Sequence, residues 1–237
     1  MEKVYGVVLA GGIGSRMGNA EKPKQFLELG EKPVIIHTIE KFVVHPGFEK
    51  VLVLAPQAWV SYTRDIVRKM IPVHERIVVI AGGETRNETI MNAIRYIEGQ
   101  GDLDDETIIV THDSVRPFVT HRILDENIEA AKKYGACDTV IPATDTIVES
   151  LDNTKITDIP NRKYMYQGQT PQSFRAKRLK EIYGALTEDE KAVLTDACKI
   201  LVLKGEHVHL VQGEEFNIKI TYPYDLVVAK TLLGLEG

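Results

Sequence analysis

With 237 residues, 43% of them hydrophobic and 27% charged, the chain has the make-up of one large globular α/β domain and is short for two. A net charge of −5 argues against a nucleic-acid binder, which carries a basic balance, so any positive field must be local. No apolar run approaches the ~18 residues of a membrane span, and because Met1 leads almost directly into the first apolar segment, no signal peptide is expected.

Cys137 and Cys198 lack metal-ligand spacing and form no disulfide framework, which makes a reducing cytoplasm the simpler setting. Residues 4–9 are a β-favouring apolar run that breaks off into Ala10, Gly11, Gly12, Ile13 and Gly14, with Arg16, Lys22 and Lys24 following. Ile35, Ile39, Phe42 and Val43 make a helical stripe, stopped by His45-Pro46-Gly47. The short continuous run 51–55 reads as a buried strand. A helix is expected over 61–70 and a third strand over 77–80. After Gly82-Gly83 a helix is expected over 84–97, with Ile90, Ala93, Ile94 and Ile97 on one face. A fourth strand covers 107–111 and ends at His112-Asp113, a helix covers 123–133, and a fifth strand covers 138–141, stopped by Pro142. Such alternation predicts a mostly parallel sheet covered on both faces.

Between Thr144 and Gly168 the pattern changes. Residues 146–150 and 155–159 flank the turn-rich Leu151-Asp152-Asn153-Thr154, which predicts a β-hairpin arm standing apart from the core. A hairpin with so little apolar mass has to pack on something, and a second subunit is the expected partner. Beyond it, 174–186 and 189–203 read as helices, 208–211 as a strand and 216–220 as extended. Thr221 is expected to cap a last helix reaching about Leu233, with Pro223 in its first turn.

Three polar groups fall beyond the carboxyl ends of strands, where ligands bind in open parallel sheets. They are the glycine loop, then Gly82-Gly83-Glu84-Thr85-Arg86, then His112-Asp113-Ser114-Val115-Arg116-Pro117. A loop rich in free N–H groups binds anions, and its nearby cations suit a nucleotide phosphate. The dinucleotide fingerprint G-x-G-x-x-G fails because Met17 stands where the third Gly belongs, and no Gly-Lys-Ser/Thr exists for a P-loop. Asp113 is the natural carboxylate for Mg²⁺, which takes one or two carboxylates plus phosphate oxygens; a turn aspartate is the plainer reading. Arg116 either binds a substrate phosphate or holds Asp113. His112 suits a packing or hydrogen-bonding role better than that of a base.

The pattern L-A-G-G-x-G-x-R-M-x₅-P-K-Q resembles the signature of the sugar- and polyol-phosphate nucleotidyltransferases. Residues 82–89, 112–117, 169–172 and 217–221 resemble the cytidylyltransferase branch that includes the methylerythritol-phosphate enzymes. Within that branch 158–162, 166–174 and 194–199 look most like the ribitol-5-phosphate cytidylyltransferases, which make CDP-ribitol for teichoic-acid or capsule polymers. The resemblance implies a three-layer Rossmann-like nucleotidyltransferase fold with a mostly parallel sheet and a protruding β-hairpin arm at about 144–168, all one domain.

It also implies roles. Leu9, Ala10, Gly11, Gly12 and Gly14 would wrap the triphosphate of CTP, with Arg16, Lys24 and Lys219 catalytic through charge neutralisation. Gly83, Glu84, Arg86, Thr89 and Ser114 would hold the nucleotide, Glu84 and Thr89 standing where the family often has Asp and Ser. Asp113 would bind Mg²⁺. Arg116, Thr146, Arg162, Thr170, Thr195, Lys219 and Thr221 would surround a polyol phosphate, Thr146 and Arg162 reaching into the other subunit's site in a homodimer. Ribitol 5-phosphate is the expected acceptor, supplied by a separate ribulose-5-phosphate reductase. The alternatives are 2-C-methyl-D-erythritol 4-phosphate, favoured less because Tyr222 replaces an arginine of some such enzymes, and a non-catalytic nucleotide-binding regulator.

Overall fold

The computed structural model describes residues 2–12 and 22–235. Its centre is a seven-stranded sheet in the order β5-β4-β1-β6-β8-β7-β9. The strands are β1 (Val4–Leu9), β4 (Lys50–Ala55), β5 (Ile77–Ala81), β6 (Ile108–Asp113), β7 (Ala136–Pro142), β8 (Tyr166–Arg175) and β9 (His209–Gln212). All run parallel except β8, which pairs antiparallel with both β6 and β7. A small hairpin of β2 (Glu28–Leu29) and β3 (Lys32–Pro33) stands apart.

Alternation along β1 divides the core. Val4 and Val8 point into a layer with α1 (Val34–Val43), α2 (Val60–Met70) and α4 (His121–Tyr134), where Phe42, Ile66 and Leu124 are buried. Tyr5, Val7 and Leu9 point into the opposite layer with α3 (Arg86–Gly99), α5 (Ala176–Gly184) and α7 (Cys198–Leu203), filled by Ile94, Leu179 and Ile200. Continuous apolar strands are what a sheet covered on both faces requires. Together the sheet and its two helical layers form the expected three-layer α/β architecture.

Several expectations need correction. The segment 166–175 is a ten-residue strand, so the helix expected from Phe174 starts instead at Ala176. The helix expected over 189–203 is two, α6 (Glu188–Ala192) and α7, because Asp196 Oδ1 accepts the Cys198 N–H at 2.8 Å and starts a new turn. Pro142 is the last residue of β7. The arm is a loop pinned by one antiparallel bridge, Glu149 to Asp158, with no two-stranded ladder. Its turn is held by Asp152 Oδ1, which accepts from the Thr154 and Lys155 amides at 2.8 and 2.9 Å. Thr221 does not cap α8 (Pro223–Leu232); Asp225 Oδ2 takes the Thr221 and Tyr222 amides at 2.7 and 2.8 Å. Among the described residues, no helix is long and apolar enough to cross a membrane.

Candidate active site

At the carboxyl ends of the parallel strands lies a cleft of about 460 Å³, lined by Leu9, Gly11, Gly12, Lys24, Gln25, Gly83–Arg86, Thr89, Asp113–Val115, Lys219 and Thr221. Leu9 on β1 pairs in register with Asp113 on β6, so the glycine loop and the acidic strand end face each other. Two backbone bonds fix that junction: Ser114 N–H to Leu9 C=O at 3.0 Å, and Ala10 N–H to Leu54 C=O at 2.8 Å. Gly14 and Arg16 lie outside the described residues.

Lys24 reaches the cleft from a short 3-10 turn, Lys24–Phe26. The next two residues anchor that turn. Buried Gln25 donates through Nε2 to the Ala10 carbonyl at 2.6 Å, tying the turn to the glycine loop. Phe26 stacks on Trp59 with centroids 4.9 Å apart. Sequence reasoning missed Gln25, although it lies inside the Pro-Lys-Gln signature.

On the other wall, α3 begins with a capping box in which Thr85 accepts from Glu88 N–H, while Glu88 Oε2 takes the Glu84 and Thr85 amides. Gly83 is required here, because a Cβ would stand 2.4 Å from Glu88 Cβ. The buried Thr89 hydroxyl accepts the Gly83 N–H at 3.0 Å and donates to Thr85 C=O at 2.9 Å. It therefore shapes the glycine turn from behind.

Asp113 is the electrostatic centre. Lys219 Nζ lies 2.9 Å from Oδ2, Arg116 Nε 3.5 Å from Oδ2, and Arg86 Nη2 3.5 Å from Oδ1. Burial pushes this carboxyl up, but Arg86, Lys219 and Arg116 outweigh it and hold the group well below the usual carboxylate range. One carboxylate thus faces three cations, a local excess of positive charge suited to an incoming polyanion. Arg116 is itself clamped, donating to the Asn217 carbonyl at 2.7 Å, so it holds Asp113 from inside.

Behind Asp113 runs a neutral relay. The Thr170 hydroxyl accepts the Asp113 N–H at 3.2 Å and meets His112 Nδ1 at 2.9 Å, and His112 Nε2 reaches the Arg116 carbonyl at 3.0 Å. Burial lowers the His112 pKa to about 4, so the ring is uncharged near neutrality and positions rather than shuttles. Thr170 supports Asp113 from the layer beneath the cleft. Thr146, Arg162 and Thr195 are exposed and lie outside the cleft of their own chain, Arg162 bonding to the Thr144 carbonyl at 2.7 Å. The structure thus brings together the nucleotide half of the expected site, while much of the acceptor half stands apart.

Next to that half lies a group that sequence reasoning passed over. Gln172 on β8, inside the quoted Gln169–Gln172 motif, donates through Nε2 to Asp138 Oδ1 at 3.0 Å and to Asp196 Oδ2 at 2.8 Å. Burial raises the Asp138 carboxyl to about 7; nearby Asp196 adds to the rise, while Gln172 and Arg86 oppose it.

The model for the family described as "IspD: 2-C-methyl-D-erythritol 4-phosphate cytidylyltransferase" matches residues 4–235. Among solved structures, the chain is similar to 4-diphosphocytidyl-2C-methyl-D-erythritol synthase from Anaerococcus prevotii, with 27% identity, a TM-score of 0.78, and 98% of this chain and 96% of that one covered. The cytidylyltransferase of Francisella tularensis superposes with TM-score 0.79 and 26% identity over 97% and 99% of the two chains. That of Thermus thermophilus does so with 0.72 and 25% over 99% and 100%. The matched span takes in the glycine loop, Asp113 and Lys219 alike, and the chain belongs to this cytidylyltransferase family.

Proposed function

We propose that the chain transfers the cytidylyl group of CTP to the phosphate of a polyol phosphate and releases pyrophosphate. The observation that carries this reading is the clustering of Arg86, Arg116 and Lys219 on the single carboxylate of Asp113, opposite a glycine loop and Lys24. In the reaction an acceptor phosphate oxygen forms a bond to the α-phosphorus of CTP, and the bond from that phosphorus to the bridging oxygen of the pyrophosphate breaks. Phosphate oxygens are already nucleophilic, so no base is needed and acceleration comes from alignment and charge neutralisation. Lys24, Arg16 and Lys219 stabilise charge on the transferring and leaving phosphates. The amides of Gly11 and Gly12 hold the triphosphate, and Gly83 with Glu84 meets the base.

Asp113 fits Mg²⁺ in one form. With three cations around it, the carboxylate favours a divalent ion already bound to triphosphate, and one carboxylate plus phosphate oxygens is the habit of Mg²⁺. When bound there, the metal supplies further neutralisation of the triphosphate.

Two acceptors each have specific support. The names of the similar structures support 2-C-methyl-D-erythritol 4-phosphate, the reading the comparisons favour. Residues 158–162, 166–174 and 194–199 support D-ribitol 5-phosphate, with CDP-ribitol as product and a separate reductase supplying the acceptor. A homodimer is part of the proposal: the arm exposes Leu151 (80%) and Tyr164 (67%), and Arg162 and Thr146 lie outside their own cleft, as residues serving a second copy would. Pyrophosphate release from CTP with each acceptor in separate reactions tests the reading. Release that depends on one polyol phosphate supports transfer and names the acceptor; none with either, or release without acceptor, contradicts it.

A further inference from the structure

Where β7 meets β8 the register shifts between Asp138 and Val140, so regular pairing breaks beside Asp138. Its Oδ1 and Asp196 Oδ2 share the Nε2 of Gln172, which is 1% exposed and leaves Oε1 without a partner among the described residues. Asp138, Asp196 and Cys198 bring their oxygen and sulfur atoms within 4.8 Å of one another. Two carboxylates held this close with one neutral amide between them repel each other, and folding alone gives no reason to keep such an arrangement. The second oxygen of Asp196 is committed to the Cys198 amide. Among the described residues Asp138 Oδ2 has no side-chain donor, the Thr139 amide being the backbone group that bonds this carboxylate.

Gly168 leaves room beside that oxygen. Its φ is not positive, so the backbone does not demand glycine there. A Cβ at 168 would meet one atom within 4 Å, Asp138 Oδ2 at 3.7 Å, and any longer side chain would cover it. The location is also specific. Arg86 and Arg116, the two arginines on Asp113, both act on Asp138 through their charge. Asp196 follows Thr195, and Gly168 closes the segment that carries Thr146 and Arg162. Asp138 is thus linked through Gln172 to Asp196, the neighbour of Thr195, and by charge to the two arginines of Asp113.

We propose that Asp138 is a specificity-determining residue of the acceptor site, its Oδ2 receiving hydroxyl groups of the polyol chain while Gln172, itself anchored on Asp196, holds it in place. The assignment rests on the polyol-phosphate reading above. Hydroxyls are donors and an ionised carboxylate is acceptor-only, so the bonds become charge-assisted as pH rises through the raised Asp138 value of about 7. A bare divalent cation fits less well, because the Gln172 amide hydrogens already occupy the bridging position between the two carboxylates.

The test is steady-state pyrophosphate release by the full chain, wild type against Asp138→Asn and Gly168→Ser, with KM measured separately for CTP and for the acceptor. Losing a charged acceptor should raise the acceptor KM about ten- to a hundredfold, with the CTP KM within about twofold of wild type. Gly168→Ser, which leaves every residue of the cluster in place, should do the same more weakly. Unchanged acceptor KM in both variants, or a parallel rise in the CTP KM, would overturn the assignment. So would Mn²⁺ binding without nucleotide that Asp138→Asn abolishes while acceptor KM stays fixed, which would make this a cation site. Wild-type silence with every polyol phosphate would instead remove the transfer reading, and this assignment with it.

Discussion

Lys219 Nζ stands 2.9 Å from Asp113 Oδ2, joining the segment after β9 to the end of β6 across the cleft. Arg86 and Arg116 approach the same carboxylate, which makes Asp113 the shared counter-ion of three cations in and behind the cleft.

Asp113→Asn leaves these cations without their anion. Breaking a buried ionic group by removing one partner costs about 3–5 kcal/mol, and exposure of Lys219 places the expected loss toward the lower value. The folded-state pKa of Asp113 is depressed, so its contribution is present above the unfolded carboxylate pKa and is lost as pH falls toward the folded value. Urea unfolding should therefore show a gap between wild type and variant at pH 7 that narrows in acid. A gap that widens in acid would contradict the charge assignment.

Lys219→Met keeps the stem and removes the charge. Because the ammonium is partly exposed, stability should change by less than about 1 kcal/mol, while kcat falls about a hundredfold or more. Thermal melts beside single-turnover rates would separate the two effects; equal losses in both would show a structural role only.

Asp138 carries the opposite sign. Its folded pKa, raised to about 7 chiefly by burial, lies above the unfolded value, so the folded state holds the proton more tightly. The groups facing it are Gln172, Asp196, Arg86 and the Thr139 amide, with Arg116 and Cys198 also within its field. Its contribution to stability is intact below about pH 4 and declines as pH rises through 7. Asp138→Asn should thus be more stable than wild type at pH 8 by roughly 1–3 kcal/mol and nearly equal at pH 4. Urea midpoints across that range check this, and a pH-independent difference would contradict it.

The proposed sharing of sites between two subunits predicts complementation. Arg162→Ala and Lys219→Ala should each lose turnover as pure preparations, yet regain part of it when the two are unfolded and refolded together. One site of each mixed dimer then has both residues. No recovery in verified heterodimers would show that the arm does not complete a neighbouring site.

Much of this was legible because burial and chemistry coincide locally. The run Val4–Leu9 feeds both core layers, so its apolar continuity marks a central strand, and Asp113 stands out as a carboxylate at a strand end facing glycines. Strand β8 was hidden for the converse reason. Thr170, Gln172 and Ser173 are buried polar residues whose partners, His112, Asp138 and Asn127, lie 34 to 58 positions away. Nothing near them in the chain announces those pairs. Asp138 was seen only as the start of a strand, since its role depends on the amide of Gln172 and the bare backbone of Gly168. The arm was overread: alternation of polar and apolar residues mimics a hairpin, but its side chains find no opposing layer, and one bridge forms.

The most direct test of cytidylyl transfer is ³¹P NMR of the protein with Mg²⁺, CTP and equal amounts of ribitol 5-phosphate and 2-C-methyl-D-erythritol 4-phosphate. The account predicts a new pyrophosphate diester and free pyrophosphate appearing in equal amounts, with one of the two acceptor resonances disappearing. CTP left intact, or converted to CMP while both acceptors persist, would contradict it.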